Sequence, residues 1–292
     1  MSLSVGIVGL ANVGKSTLFN ALLKKQQALV ASYPFATIEP NVGIVPVPDE
    51  RLAVLAGVVK TQKIVPATVE FIDIAGLIAG AHKGEGLGNK FLAHIREVSV
   101  MCHVVRAFGD DIDIKSDYDT VKIELELADL EHPEAPPLAQ KPEILVINMA
   151  EQDLGKSYED GSIVICAKIE AELAELGEED ARAYLKELGL EQSGLERLIA
   201  AAYRKLNLMS FLTAGEKEVK AWTIRKDTKA VEAAGVIHTD FMKKFIKADV
   251  VKYEDFVRVG GWKNAREQGL VRSEGRDYLM QEGDVVEFKI GM

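Results

Sequence analysis

Residues Gly9-Leu10-Ala11-Asn12-Val13-Gly14-Lys15-Ser16-Thr17 have the spacing G-x4-G-K-[ST]. Glycines there let successive backbone N–H groups turn inward and cradle phosphate oxygens. Lys15 is the expected neutraliser of the β- and γ-phosphates, and the Ser16 hydroxyl the expected Mg2+ ligand. Asn12, Val13, Gly14 and Thr17 complete the candidate nucleotide-binding loop. An apolar run (SVGIVG, 4–9) precedes it, and Leu18, Phe19, Leu22 and Leu23 follow at helical spacing. A helix starting at Lys15 adds the positive end of its dipole. The competing reading is an unliganded glycine-rich turn; chance gives such a match in about one chain in a hundred of this length.

Two further clusters extend this chemistry. Asp73-Ile74-Ala75-Gly76 closes the run TVEFID (68–73). An Asp at a strand end beside the phosphate loop is placed to hold Mg2+ through water, and the Gly76 N–H to approach the γ-phosphate. An acidic turn would show the same D-x-x-G. The following glycines (Gly80, Gly84, Gly86, Gly88) make a segment able to reorder when γ-phosphate is lost. Between these motifs, Thr37 is the candidate second hydroxyl ligand. The third cluster is Asn148-Met149-Ala150-Glu151, at the end of EILVIN. GTPases carry Asn-Lys-x-Asp there, and the Asp takes two hydrogen bonds from guanine. Met149 in place of Lys, and the longer Glu151 in place of Asp, spoil that pairing. Cys166-Ala167-Lys168 stands where GTPases commonly carry Ser-Ala-Lys behind the base. Among the histidines, His103 lies in an apolar run and is expected in the core, His94 is expected to be structural, and His82 in the glycine-rich stretch is a weaker candidate for the γ-phosphate.

These residues need strands that end together. MCHVVRAF (101–108), EILVIN (143–148) and SIVICA (162–167) read as buried strands alternating with helical patterns at 87–98, 170–187 and 194–206. Such alternation implies an α/β fold, a mostly parallel sheet with helices on both faces. Beyond about residue 207 the runs VKAWTI, DYLM and VVEFKI, with turn signals at Gly260-Gly261 and Glu282-Gly283-Asp284, indicate a small α+β module. The boundary is expected at 205–210, giving domains 1–206 and 207–292. Residues 109–142 hold one helix-like segment and a proline-rich link, as though something were inserted or cut out.

The 292 residues carry a net charge of −10, which argues against a general nucleic-acid coater but leaves room for a local basic face. Lys243, Lys244, Lys247, Lys252 and Arg258 give one such bias, readable either as an RNA-facing surface or as a solvated face. Trp222 and Trp262 are expected to pack rather than stack bases. Cys102 and Cys166 lie in apolar runs and fit a reducing compartment. Apolar runs fall short of the roughly 18 residues of a membrane span, and no signal peptide is evident. A cytoplasmic monomer without membrane contact is expected.

With these motifs in view, the chain resembles the YchF family, the Obg-like ATPases of the TRAFAC class. The matching stretches are GIVGLANVGKSTLFNAL (6–22), YPFATIEPNVGIVPVPDERL (33–52), FIDIAGLIAGAHKGEGLGNKFL (71–92), NMAE (148–151) and FLTAGEKEVKAWTI (211–224). The resemblance implies a Ras-like G domain, a helical insertion and a C-terminal TGS domain of ubiquitin-like type. It also implies ATP preferred over GTP, Mg2+ as cofactor, and association with ribosomes or ribosomal RNA. Two departures stand out. Of the family's long antiparallel coiled coil only a stub near 119–131 remains, and no His-Val segment follows Arg106-Ala107-Phe108. Leu77 occupies the place of the Gln that orients attacking water in Ras-type enzymes, so slow hydrolysis is expected, with Lys15, Gly76 and Asn12 as catalytic candidates. An Asn at the Asn12 place holds K+ in some relatives. The alternatives are an Obg-type translation GTPase and a nucleotide-binding scaffold with negligible turnover.

Overall fold

Strand β1 (Ser4–Val8) is buried along its whole length, as a central parallel strand must be. It feeds α1 (Lys15–Ser32), β2 (Val42–Pro46), α2 (Arg51–Val59) and β3 (Ile64–Val65). Next come β4 (Thr68–Asp73), α3 (Leu87–Glu97), β5 (Val100–Ala107) and α4 (Ile114–Glu131). After these come β6 (Glu143–Met149), β7 (Ile163–Ile165), α5 (Ala167–Leu173), α6 (Glu178–Glu187) and α7 (Gly194–Lys205). Then follow β8 (Leu208–Ala214), β9 (Val219–Arg225), α8 (Ala230–Ile237), α9 (Thr239–Lys243), β10 (Phe245–Val251), α10 (Tyr253–Val259), α11 (Trp262–Glu267), β11 (Arg272–Glu274) and β12 (Val285–Ile290). The computed structural model describes residues 3–32, 41–74, 87–154, 158 and 161–291.

The chain forms two units, 1–46 with 69–206, and 47–68 with 207–292. In the first, the sheet order is β2-β4-β1-β5-β6-β7. The pairings β1–β4, β1–β5, β5–β6 and β6–β7 are all parallel. This is the expected α/β layer with its strand ends gathered at one edge. Val8, Ile95, Met101, Val121 and Leu125 fill the core on one side, under α3 and α4. The helical pattern 170–187 is two helices, α5 and α6, separated by a turn that ends at Gly177.

The second unit holds a mixed sheet in the order β11-β10-β12-β8-β9-β3. Residues 47–68, expected within the first domain, belong here. Ile64 and Val65 pair in parallel with Val219 and Lys220, and the Ala67 carbonyl accepts from Val47 N at 2.8 Å. DYLM is not a strand; Leu279 makes one isolated bridge, to Lys229. Trp222 is half-buried, donates to the Thr213 hydroxyl, and lies under Lys220 Nζ at 3.6 Å from its ring centre. Trp262 donates to the Ala214 carbonyl. The basic bias at 243–258 is partly neutralised, by Lys247 on Asp249 and Arg258 on Asp255.

Candidate nucleotide site

The turn out of β1 requires glycine at both ends. Gly9 has φ +148°, and a Cβ there would lie 2.3 Å from the Val104 carbonyl oxygen. Gly14 has φ +97°, and its Cβ would lie 2.2 Å from Asn148 Nδ2. Asn12 takes φ 63°, a left-handed conformation that Asn tolerates. The chain then enters α1, whose first intrahelical bond runs from Leu18 N to Gly14 O at 3.0 Å. The N–H groups of Lys15, Ser16 and Thr17 precede that bond and have no carbonyl one turn earlier in the helix, which is the anion-binding arrangement.

Lys15 is buried and its Nζ donates to the Leu10 carbonyl at 2.5 Å, so the ammonium is held across the loop. Burial lowers its pKa from the usual lysine range, and Asp73 opposes that shift. Asp73 is raised by its own burial, with Lys15 opposing. Asp73 ends β4 in register with Ile7 of β1, the strand that leads into the loop. Ser16, Thr17 and Asn12 are exposed, while Val13 is buried. Ser16 hydroxyl and Asp73 carboxylate are hard oxygen donors, the set that suits Mg2+ with retained water. Thr37, Gly76, Leu77 and His82 lie outside the described residues.

Asn148 is 4% exposed and uses both ends of its amide. Its Nδ2 donates to the Val13 carbonyl at 2.9 Å, and its Oδ1 accepts from Ala167 N at 2.9 Å. It thus ties the phosphate loop to the loop after β7. Met149 points into a core cluster with Val105, Ala107 and Ile147. Cys166 packs with Ile169, Leu173 and Leu185, and Ala167 is buried at the start of α5. The exposed members are Glu151, at the head of a short 3-10 turn, and Lys168, whose Nζ lies 3.6 Å from Glu151 Oε2. The N-x-x-E spacing pointed to Asn148 but not to its bracing role, because its partners lie 135 and 19 residues away. Glu170 gave no functional signal. It is buried and accepts from Gly194 N and Leu195 N, which fixes the start of α7.

His94 is exposed on α3. His103 is buried, stacks on Tyr118 and donates from Nδ1 to Glu143 at 2.7 Å. Lys122 donates to the other Glu143 oxygen at 2.8 Å. Among the described residues no cluster of three His, Cys, Asp or Glu could hold a metal, and no helix is long and apolar enough to cross a membrane.

Residues 4–149 match a family described as 50S ribosome-binding GTPase, and residues 208–291 match the C-terminal YchF-GTPase family, described as a protein of unknown function. The ribosome-binding ATPase YchF of Bacillus subtilis is 42% identical, with all of both chains covered. The protein of the same name from Haemophilus influenzae is 43% identical, again over both full lengths. The Bacillus alignment runs over 367 positions against 292 residues here, so that relative has a stretch this chain lacks. The structure of the YchF GTPase of Schizosaccharomyces pombe superimposes with a TM-score of 0.82 at 33% identity, covering 98% of this chain and 97% of that one. The chain belongs to the YchF family.

Proposed function

We propose that this protein is a ribosome-associated nucleotide switch that binds ATP in preference to GTP and hydrolyses it slowly. The observation that carries the reading is the formed phosphate loop: Lys15 held across it, N–H groups at the head of α1 that precede its first intrahelical bond, and Asp73 beside it. The names of the relatives support ATP hydrolysis and ribosome binding. Ser16, Asp73 and Thr37 are the residues that would hold Mg2+, which would offset the charge of the phosphates. Lys15 and the loop N–H groups bind and orient the phosphates, with Gly76 completing the γ-phosphate contacts. Asn12 is the residue that would place K+ where a cationic side chain would otherwise act. Val13, Gly14 and Thr17 shape the loop; Asn148, Met149, Cys166 and Ala167 fix the floor of the base site.

Adenine selectivity is supported by Glu151. Guanine presents two donors on one edge, and reading them takes both oxygens of a carboxylate. Lys168 Nζ stands 3.6 Å from Glu151 Oε2 and competes with a guanine donor for that oxygen, while Oε1 suffices for the single amino group of adenine. We read residues 207–292, completed by 47–68, as a TGS domain, and the protein as a cytoplasmic monomer. Calorimetry with MgATP and MgGTP on one sample tests the function. Clear ATP preference is expected; GTP preference would place the protein with the Obg-type GTPases. Single-turnover hydrolysis with and without ribosomes completes the test, and absence of turnover in both would leave a binding scaffold.

A further inference from the structure

At the edge of the first sheet opposite the phosphate loop, where β6 and β7 begin, an open groove of about 520 Å3 runs along α7. Ala200 and Ala201 form a small, uncharged floor, and Arg197, Arg204 and Lys205 line it as cations. Arg197 is fixed by donating to the Val164 carbonyl at 2.6 Å. Arg204 and Lys205 are exposed and have no ion-pair partner among the described residues. Four other cations of this unit are paired: Lys24 with Glu175, Lys25 with Glu196, Lys122 with Glu143 and Lys168 with Glu151. The acid that lines the groove, Glu143, is already matched by His103 and Lys122. In a chain of net charge −10, unmatched cations along an open groove concentrate positive potential locally.

We propose that this groove holds the phosphodiester backbone of RNA. The proposal rests on the ribosome-association reading and adds the surface that makes the contact. Arg197 and Arg204 are two turns apart on one helix, about 10 Å along its axis, which exceeds one phosphate group and suits a chain of them. No aromatic side chain is among the described residues that line the groove, so bases have nothing to stack on and the contact reads backbone, not sequence.

The test is Arg204→Glu with Lys205→Glu, both exposed, measured by anisotropy with a short fluorescein-labelled RNA duplex across a KCl series. Each lost phosphate contact lowers the slope of log K against log salt by about 0.7–0.9, and two together weaken binding on the order of tenfold at physiological salt. The expected result is that loss, with fluorescent ADP binding and the melting temperature unchanged. Equal RNA binding by variant and wild type overturns the proposal. So does displacement of the duplex by a poly-glutamate peptide at equal charge concentration, which would make the groove an acidic-protein site, or by pyrophosphate at a comparable level, which would make it a small-anion site. Co-sedimentation with ribosomes separates the two readings. If the wild type pellets and the variant pellets equally, the groove fails and ribosome association stands. If neither pellets while RNA binding differs, the groove stands and ribosome association fails.

Discussion

Replacing Asn148 by Ala should weaken the nucleotide site without regard to the base. The side chain is 4% exposed and makes two bonds of 2.9 Å, one to each loop. Ala removes both and leaves the Val13 carbonyl and the Ala167 N–H without their partner. A buried polar group left unpaired costs about 1–3 kcal/mol, so two cost about 2–4 kcal/mol if water enters in part. For a unit of this size that is a fall of about 4–16 °C in melting temperature. The phosphate loop would then have to be ordered by the ligand, so MgATP, MgGTP and magnesium tripolyphosphate should all lose affinity by a similar factor. Thermal unfolding and calorimetry with the three ligands make the assay. If stability is unchanged, or if affinity falls for ATP while tripolyphosphate binds as before, Asn148 contacts the base and the bracing argument is wrong. Gly14→Ala attacks the same joint from the other side, since its Cβ would sit 2.2 Å from the amide nitrogen.

Other outcomes follow from neighbouring residues. Lys168→Ala frees the second oxygen of Glu151; an exposed pair is worth about 0.2–1 kcal/mol, so the ATP/GTP affinity ratio should fall about 1.4- to 5-fold, and an unchanged ratio refutes the acceptor argument. Glu143 would be raised by burial alone, but bonds from His103 and Lys122 outweigh this and hold it at about 2. Its folded value lies below its ordinary 4.5, so its stabilisation is complete above that pH and is lost as pH falls through about 2. Glu143→Gln should be less stable at neutral pH and flatter in that acid window by urea titration. ATP hydrolysis should be faster in KCl than in NaCl if Asn12 places K+; equal rates refute it.

The parallel sheet and the phosphate loop were legible because both rest on local rules. Short continuous apolar runs rich in β-branched residues fit central strands, and G-x4-G-K-S favours positive φ at Gly14, which the structure has. The membership of 47–68 was not legible. Val47 and Ala67 bond to each other across a short excursion, and Ile64–Val65 pair with residues more than 150 positions away; nothing in their own pattern names that partner. DYLM failed for the opposite reason. Tyr278 and Met280 pack into the core with Phe245 and Val286, while Leu279 is exposed and makes only an isolated bridge to Lys229. In the base site, residue types were legible and roles were not. Met149 and Cys166 lie at the motif positions but turn into the core, so their part is to fix the loops that carry Glu151 and Lys168.

The crossover from β5 to β6 positions the strand that carries Asn148. Here the residues after α4 close on themselves. Asp129 accepts from Leu138 N at 2.7 Å and Ala139 N at 2.9 Å, and Lys122 donates to the Ala139 carbonyl at 3.2 Å. Leu138 is 1% exposed and enters the core beside Ile95 and Leu125. Lys141 donates to the carbonyls of Arg96 and Val98, and Arg96 to that of Pro136, which ties the link to the end of α3. The proline-rich link is a capped, packed turn. It brings Glu143 and β6 into register with β5, and so delivers Asn148 to the phosphate loop.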